Sequence, residues 1–222
     1  MREGILAYHT LIKQYKLLFK FKFVIIYLYL HMSKEVLDDI PKDKKLVLEL
    51  GMGDGNLIKL LSEKNHDYYF IGIEKNESHY NKAKYNIKSQ NVKILHTLFE
   101  SVLPLFEDNS LYKVISVLPD PKYIDIKYKS NWEVLYKIIY KKLVKQGKFI
   151  LITEITDELF QPVSNNEFYK EVENLKQIFQ SIGFLVVNAF EGYQENYMTS
   201  FLQEFSGDPK RIRIINFEFT KN

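Results

Sequence analysis

The sequence predicts a doubly wound α/β domain, a mostly parallel sheet with helices on both faces, and three observations predict it. From Lys45 onward, short β-rich apolar runs alternate with longer windows of helical period. The first apolar run empties directly into a turn with glycine at alternate positions, Gly51, Gly53 and Gly55. The second run ends on a carboxylate, Glu74, about 20 residues further on, the spacing at which such a sheet brings a strand end beside its first turn.

Each element has its own local reason. LVLEL (residues 46–50) reads as a buried strand, and NLIKLLSEK (56–64) as the amphipathic helix that leaves the glycine turn. YYFIGIE (68–74) is a second strand, followed by a helical window at 77–89 and the strand VKILH (92–96). A helical turn around FESVLPLF precedes the strand YKVISVL (112–118). The window 131–145, NWEVLYKIIYKKLVK, predicts a helix that the turn QGK ends, and FILIT (149–153) a fifth strand. After the loop QPVSNN come a helix over 167–183, the strand FLVVNAF (184–190) and a last strand, RIRIINFEF (211–219). No linker or tandem repeat interrupts the series, so residues 32–222 are expected to be one domain.

Composition narrows the class. A 222-residue chain with 46% hydrophobic and 27% charged residues has the make-up of a folded globular protein, and fibrous and disordered classes are excluded. With no cysteine there is no disulfide, cysteine nucleophile or cysteine-ligated zinc, which fits a cytoplasmic protein. The five histidines, His9, His31, His66, His79 and His96, show no ligand spacing, and no metal is expected.

The net charge of +3 is local in origin. Residues 1–31 carry five Lys/Arg against Glu3, so the rest of the chain is near neutral, at −1. What remains are clusters: Lys122, Lys127 and Lys129; Lys141, Lys142, Lys145 and Lys148; Lys210, Arg211 and Arg213. The apolar run at 23–30 is cut short by Lys20 and Lys22, below the roughly 20 residues a membrane helix needs. Residues 1–31 are expected to be an N-terminal extension or packed appendage, with Met32 opening the domain.

The glycine turn decides the ligand class. Glycine lets the backbone adopt positive φ and come against a ligand with no Cβ in the way. Dinucleotide sites use G-x-G-x-x-G, whereas G-x-G-x-G here puts Asn56 where the third glycine would fall, which disfavours a nicotinamide oxidoreductase. Glu49 and Asp54 would repel a pyrophosphate and suit an ammonium group, while Glu74 can accept from two ribose hydroxyls. S-adenosylmethionine carries an ammonium, a sulfonium and a ribose. After the fourth strand, prolines on both sides of Asp120 stiffen the loop and fix where its carboxylate points.

LELGMGDG, FIGIE, VLPLFEDNSLYKVISVLPDP, LVKQGKFILITE and MTSF together resemble the single-chain tRNA (guanine-N(7)-)-methyltransferases, from about Leu46 to the C-terminus. The resemblance implies a Rossmann-like class I methyltransferase fold, S-adenosylmethionine as cofactor and tRNA as partner. It implies cofactor contacts from Glu49, Gly51, Gly53, Gly55, Glu74 and the region of Leu98, and a catalytic role for Asp120. It further implies substrate contacts from Lys122, Glu154, Thr199 and Phe201. Three departures stand out: only Lys122, Lys127 and Lys129 represent the family's basic run, Leu98 stands where the family has an aspartate, and Leu202 replaces a glutamate. RNA bases presented in loops stack on aromatics, for which Tyr123, Tyr128, Trp132 and Phe201 are candidates. The alternatives left open are a methyltransferase acting on another RNA or a small molecule, and a non-catalytic scaffold of the same fold.

Overall fold

A computed structural model of the chain describes residues 37, 39–41, 43–156, 161–207 and 212–222. The segment 1–31 with its apolar run, the boundary at Met32, and Lys210 and Arg211 lie outside the described residues. From Pro41 on, the chain forms one compact unit.

Seven strands make one sheet in the order β3-β2-β1-β4-β5-β7-β6. They are β1 (Lys45–Leu50), β2 (Tyr68–Glu74), β3 (Val92–His96), β4 (Leu111–Val117), β5 (Leu143–Ile155), β6 (Phe184–Glu191) and β7 (Arg213–Lys221). All neighbours through β5 pair in parallel, and β7 runs antiparallel between β5 and β6. The helices are α1 (Asn56–Lys64), α2 (Glu77–Asn86), α3 (Phe99–Val102), α4 (Lys129–Lys142), α5 (Asn165–Ile182) and α6 (Ser200–Ser206). The expected mostly parallel, doubly wound sheet is the observed one.

Residue alternation along the strands sorts the core into two layers. On one face, Val47, Phe70, Ile115, Ile150, Ile152 and Ile214 pack with Met52, with Leu57 and Ile58 of α1, Ala83 of α2 and Leu202 of α6. On the other, the rings of Phe149 and Phe219 meet Tyr136 of α4 and Phe179 of α5, with centroids 4.4–6.0 Å apart. Three acids of the first face, Glu49, Glu74 and Glu154, sit toward the carboxyl ends of their strands. Glu49 shares its side of β1 with Val47, Glu74 shares its side of β2 with Phe70, and Glu154 shares its side of β5 with Ile152.

Some boundaries differ from the sequence reading for identifiable reasons. Helix α4 stops at Lys142, because Leu143 is buried and pairs with Leu111 of β4; Leu143, Val144 and Lys145 therefore belong to β5. The tight return follows at Gln146, at φ 62, and at Gly147, where a Cβ would lie 2.8 Å from the Val144 carbonyl oxygen. Helix α2 ends at Asn86, not at Ser89, as Ile87 turns to extended backbone and packs beneath the glycine turn. Helix α5 starts two residues early, on a capping box between Ser164 and Glu167, and Gly183 at φ 119 closes it. The last strand is shifted by two residues, to Arg213–Lys221.

The third glycine of the turn has a packing role. Gly55 is buried at φ 78, and a Cβ there would lie 2.7 Å from Ile87 Cδ1 and 2.9 Å from Ala83 Cβ. Its missing side chain lets α1 and α2 approach. At Gly51 and Gly53, a Cβ would meet nothing within 4 Å. Gly55→Ala should therefore combine left-handed strain with overpacking and lose about 2–4 kcal/mol in urea denaturation, whereas Gly51→Ala should lose only the strain, about 1–2 kcal/mol. Equal losses at the two positions would remove the packing role from Gly55.

Candidate active site

The carboxyl ends of β1, β2, β4 and β5 converge on the glycine turn, the crevice where open α/β sheets bind ligands. Gly51, Gly53 and Gly55 all have positive φ, at 70°, 57° and 78°. Gly51 is exposed and Gly53 half-buried, so the two open positions of the turn face the crevice. The turn is held from three sides. Met52 N–H donates to the Ile73 carbonyl at 2.9 Å, Gly53 N–H to Glu74 Oε2 at 3.0 Å, and Asn86 Nδ2 to the Asp54 carbonyl at 3.3 Å.

Glu49 and Glu74 are both buried at this point, but in different states. Each oxygen of Glu74 accepts a backbone N–H, Oε2 that of Gly53 and Oε1 that of Asn76 at 2.7 Å. Glu49 is only 2% exposed, and its Oε2 has no hydrogen-bond partner. Burial pushes the Glu49 carboxyl up to about 8, aided by the charges of Asp54 and Glu74 and opposed by a hydrogen bond from the Ile58 backbone. A buried acid with a free oxygen beside two open glycines suits a cationic ligand group. The donor set therefore fits an ammonium-bearing adenosine ligand, with Glu49 toward the cation and the remaining lone pairs of Glu74 toward hydroxyls.

Asp120 sits on the loop after β4, with its direction fixed from several sides. Leu118, just ahead, is a non-glycine residue at φ 49, and its N–H donates to the Ile152 carbonyl at 2.7 Å. Asp120 caps a 3-10 turn at Pro121–Tyr123, its Oδ1 accepting from Lys122 N–H at 3.1 Å, and Lys122 Nζ lies 3.6 Å from Oδ2. Beneath the loop, Tyr136 Oη donates to the Tyr123 carbonyl at 2.8 Å and Trp132 Nε1 to that of Asp125 at 2.7 Å.

Burial removes one of the four aromatic candidates for base stacking, and the contacts of another are already partly taken up. Trp132 is 1% exposed and belongs to the core. Tyr123 packs its ring against Phe99 at 5.0 Å and donates its hydroxyl to Glu100, and burial followed by the Glu100 carboxylate pushes that hydroxyl's titration upward. Tyr128 and Phe201, 43% and 55% exposed, remain open to solvent.

The other expected site residues fall at the same edge of the sheet. Leu98 is exposed just before α3. Glu154 is half-buried on β5 opposite Ile214, and burial raises its carboxyl. Thr199 caps α6, its Oγ1 accepting from Leu202 N–H at 3.0 Å. Leu202, where the resemblance places a glutamate, is fully buried in the layer beside α1. Of the basic residues, Lys122 reaches Asp120, Lys129 lies 3.9 Å from Glu133, Lys141 and Lys142 pair with Asp108, and Arg213 is held by both oxygens of Glu191.

Sequence reasoning missed a side-chain cluster that ties the turn to α6. Asp54 Oδ2 accepts from Ser200 Oγ at 2.8 Å and from Asn56 Nδ2 at 3.0 Å, and Asn56 Nδ2 lies 2.7 Å from Ser200 Oγ. The partners are 144 and 146 residues apart, so no local pattern announces them. Among the described residues, no group of three or more His, Asp or Glu side chains could hold a metal, and no helix is long and apolar enough to cross a membrane.

The Glu49 environment makes stability pH-dependent. A carboxyl raised from its usual value of 4.5 to about 8 contributes stability that is fully present below about pH 4.5 and is lost as the pH rises through 8. Glu49→Gln removes that loss, so the melting temperature of the variant relative to the parent should climb between pH 5 and 8.5. A difference independent of pH would show that Glu49 is ionised throughout.

Comparison with known proteins supplies the family. Residues 43–203 match a family model described as "Putative methyltransferase". The tRNA (guanine-N(7)-)-methyltransferase of Mycoplasma genitalium is 27% identical over 167 residues, 70% of this chain and 79% of that protein. Its namesake in Mycoplasmopsis pulmonis is 29% identical over 185 residues, 81% of this chain and 87% of that protein. Among solved structures, a 16S rRNA (adenine(1408)-N(1))-methyltransferase from Catenulisporales acidiphilia superposes with a TM-score of 0.63 at 10% identity, covering 85% of this chain and 91% of that one.

Proposed function

Because the chain belongs to the methyltransferase family matched over residues 43–203, we propose that it is an S-adenosylmethionine-dependent enzyme that methylates guanine N(7) in tRNA, in the cytoplasm. The observation that carries the cofactor reading is the buried Glu49 with an unpaired oxygen beside the open glycines. The substrate reading rests on the two relatives named above.

Each residue has a distinct task in this reading. Glu49, which keeps its proton below about pH 8 in the free protein, gives it up on pairing with the ammonium of the cofactor. Glu74 accepts the ribose hydroxyls while it holds the turn through Gly53. Gly51 and Gly53 leave room for the ligand. Leu98, exposed at the end of β3, offers apolar surface to the adenine. When bound, S-adenosylmethionine supplies a methyl group on a positively charged sulfur. Guanine N(7) has a free lone pair and needs no proton removed, so the protein's work is alignment and charge. Asp120 receives the donor groups of the base and offsets the charge that methylation leaves on the ring. Lys122, Thr199, Glu154 and the exposed ring of Phe201 border that space.

The test uses the purified chain, unmodified tRNA transcripts and methyl-labelled cofactor, with nucleosides separated by mass spectrometry. The expected product is 7-methylguanosine. Label that enters ribosomal RNA, or that stays in small molecules, would replace the tRNA assignment and leave the cofactor reading standing. Gly53→Val should abolish binding of S-adenosylhomocysteine in calorimetry, and Glu74→Ala should weaken it by about 1–3 kcal/mol. Asp120→Ala should keep that binding and lower methyl transfer at least about tenfold, roughly 1.4 kcal/mol of transition-state stabilisation. Equal activity in parent and variant would take Asp120 out of the mechanism.

Phosphate contacts should be few, because the domain is near neutral and Lys141, Lys142 and Arg213 are ion-paired. Three lysines imply a slope of log tRNA affinity against log salt of roughly 2–3. Changing Lys122, Lys127 and Lys129 together to Ala should flatten most of it without altering cofactor binding. A steep slope unchanged by that triple substitution would place the RNA elsewhere.

A further inference from the structure

We propose that Ser200 is a positioning residue that couples the two binding steps: through Asp54 and Asn56 it joins the cofactor turn to helix α6, so that cofactor and nucleic-acid substrate strengthen each other's binding. The inference rests on the functional reading above and adds the order in which the site is assembled.

Three features carry it. The cluster is closed, since Ser200 Oγ and Asn56 Nδ2 both donate to Asp54 Oδ2, at 2.8 and 3.0 Å, and lie 2.7 Å from each other. Asn56 N–H also donates to Asp54 Oδ1, at 3.2 Å, so one carboxylate fixes both the exit of the glycine turn and the start of α1. Helix α6 has only seven residues, and Leu202 is its one buried side chain. Its far end is held by Phe205, which packs against the core and whose carbonyl accepts from Tyr193 Oη at 2.9 Å, so the tie through Ser200 acts on its first turn.

The placement of Ser200 explains why the tie matters for function. It stands between Thr199 and Phe201, the two C-terminal residues proposed to border the substrate. Phe201 is 55% exposed and among the described aromatics touches only Phe205, at 5.7 Å, so its position follows that of the helix. On the other side, Asp54 lies between Gly53 and Gly55, both at positive φ, in the turn against which the cofactor is proposed to sit. Ordering the turn fixes the Asp54 carboxylate, which fixes the Ser200 hydroxyl, which presents Thr199 and Phe201. By linkage the same free energy acts in reverse, and substrate on α6 tightens the cofactor site.

The experiment measures the tRNA dissociation constant with and without saturating S-adenosylhomocysteine, which cannot donate a methyl group. In the parent protein the cofactor product should tighten tRNA binding by at least about fivefold. In Ser200→Ala the factor should fall towards one, and Ser200→Thr, which keeps the hydroxyl, should restore most of it. Hydrogen exchange in the unaltered protein gives a readout independent of any variant's folding: the amides of residues 200–206 should slow when S-adenosylhomocysteine is added. A coupling factor near one in the parent, a factor unchanged by Ser200→Ala, or exchange at 200–206 indifferent to the ligand would each overturn the proposal. Failure of the functional reading looks different, since it removes S-adenosylhomocysteine binding or the 7-methylguanosine product altogether.

Discussion

The carboxylate of Glu74 is the contact on which the remainder of the site is hung. Its two oxygens accept the N–H groups of Gly53 and Asn76, at 3.0 and 2.7 Å, and thereby join the strand-to-helix turns that follow the adjacent strands β1 and β2. One of those turns opens α1. The other opens α2, whose own first turn is capped by the Asn76 side chain on His79 N–H. A buried carboxylate is costly unless it is hydrogen-bonded, and here the bonds come from backbone groups that also need partners. Polar satisfaction and turn geometry are thus met by one group, and a ligand that adds hydroxyl donors to it meets a carboxylate already aimed.

Glu49 is the complement. One residue from the end of the neighbouring strand, it is as deeply buried as Glu74, yet one of its oxygens has no partner. The two acids divide the work between a frame and a receptor. The frame is satisfied by backbone groups of the fold, and the receptor, in the proposed reading, by the ammonium of the cofactor. This asymmetry explains why burial raises Glu49 so far, with the nearby charges of Asp54 and Glu74 adding to the effect.

What was legible in the sequence follows from the range of the forces involved. Strands β2 and β3 and helix α1 fall where alternation and helical period put them, because each is written in contiguous residues. The glycine turn and its acids were legible for the same reason, with Glu74 placed by the regular length of a strand-helix-strand unit. The end of α4 was not, since Leu143 leaves the helix to pair with Leu111, 32 positions earlier, and a helical continuation through Lys145 is locally just as good. The antiparallel course of β7 is set by its insertion between β5 and β6. The packing role of Gly55 depends on Ala83 and Ile87, and the tie of Asp54 to Ser200 spans most of the domain. The aromatics divided in a similar way. Nothing local distinguishes Trp132, which fills the core, from Tyr128, which is exposed.

The Asp120 loop and helix α6 are held in different ways. The Asp120 loop is held by the prolines flanking Asp120, by the left-handed Leu118, and by Trp132 and Tyr136 donating to its carbonyls from below. Left-handed backbone at a leucine costs about 1–2 kcal/mol and persists only where the surroundings over-determine it. That strain is understandable if methyl transfer to a ready lone pair depends on alignment more than on proton movement, since an aligned carboxylate must not swing. Helix α6, only seven residues long, is held by Leu202 in the core, by Phe205 packed against it, by Tyr193 Oη donating to the Phe205 carbonyl at 2.9 Å, and by Ser200 on Asp54. In the proposed reading the loop presents Asp120 at a fixed place, and Ser200 is the point at which the first turn of α6 answers to the glycine turn through Asp54.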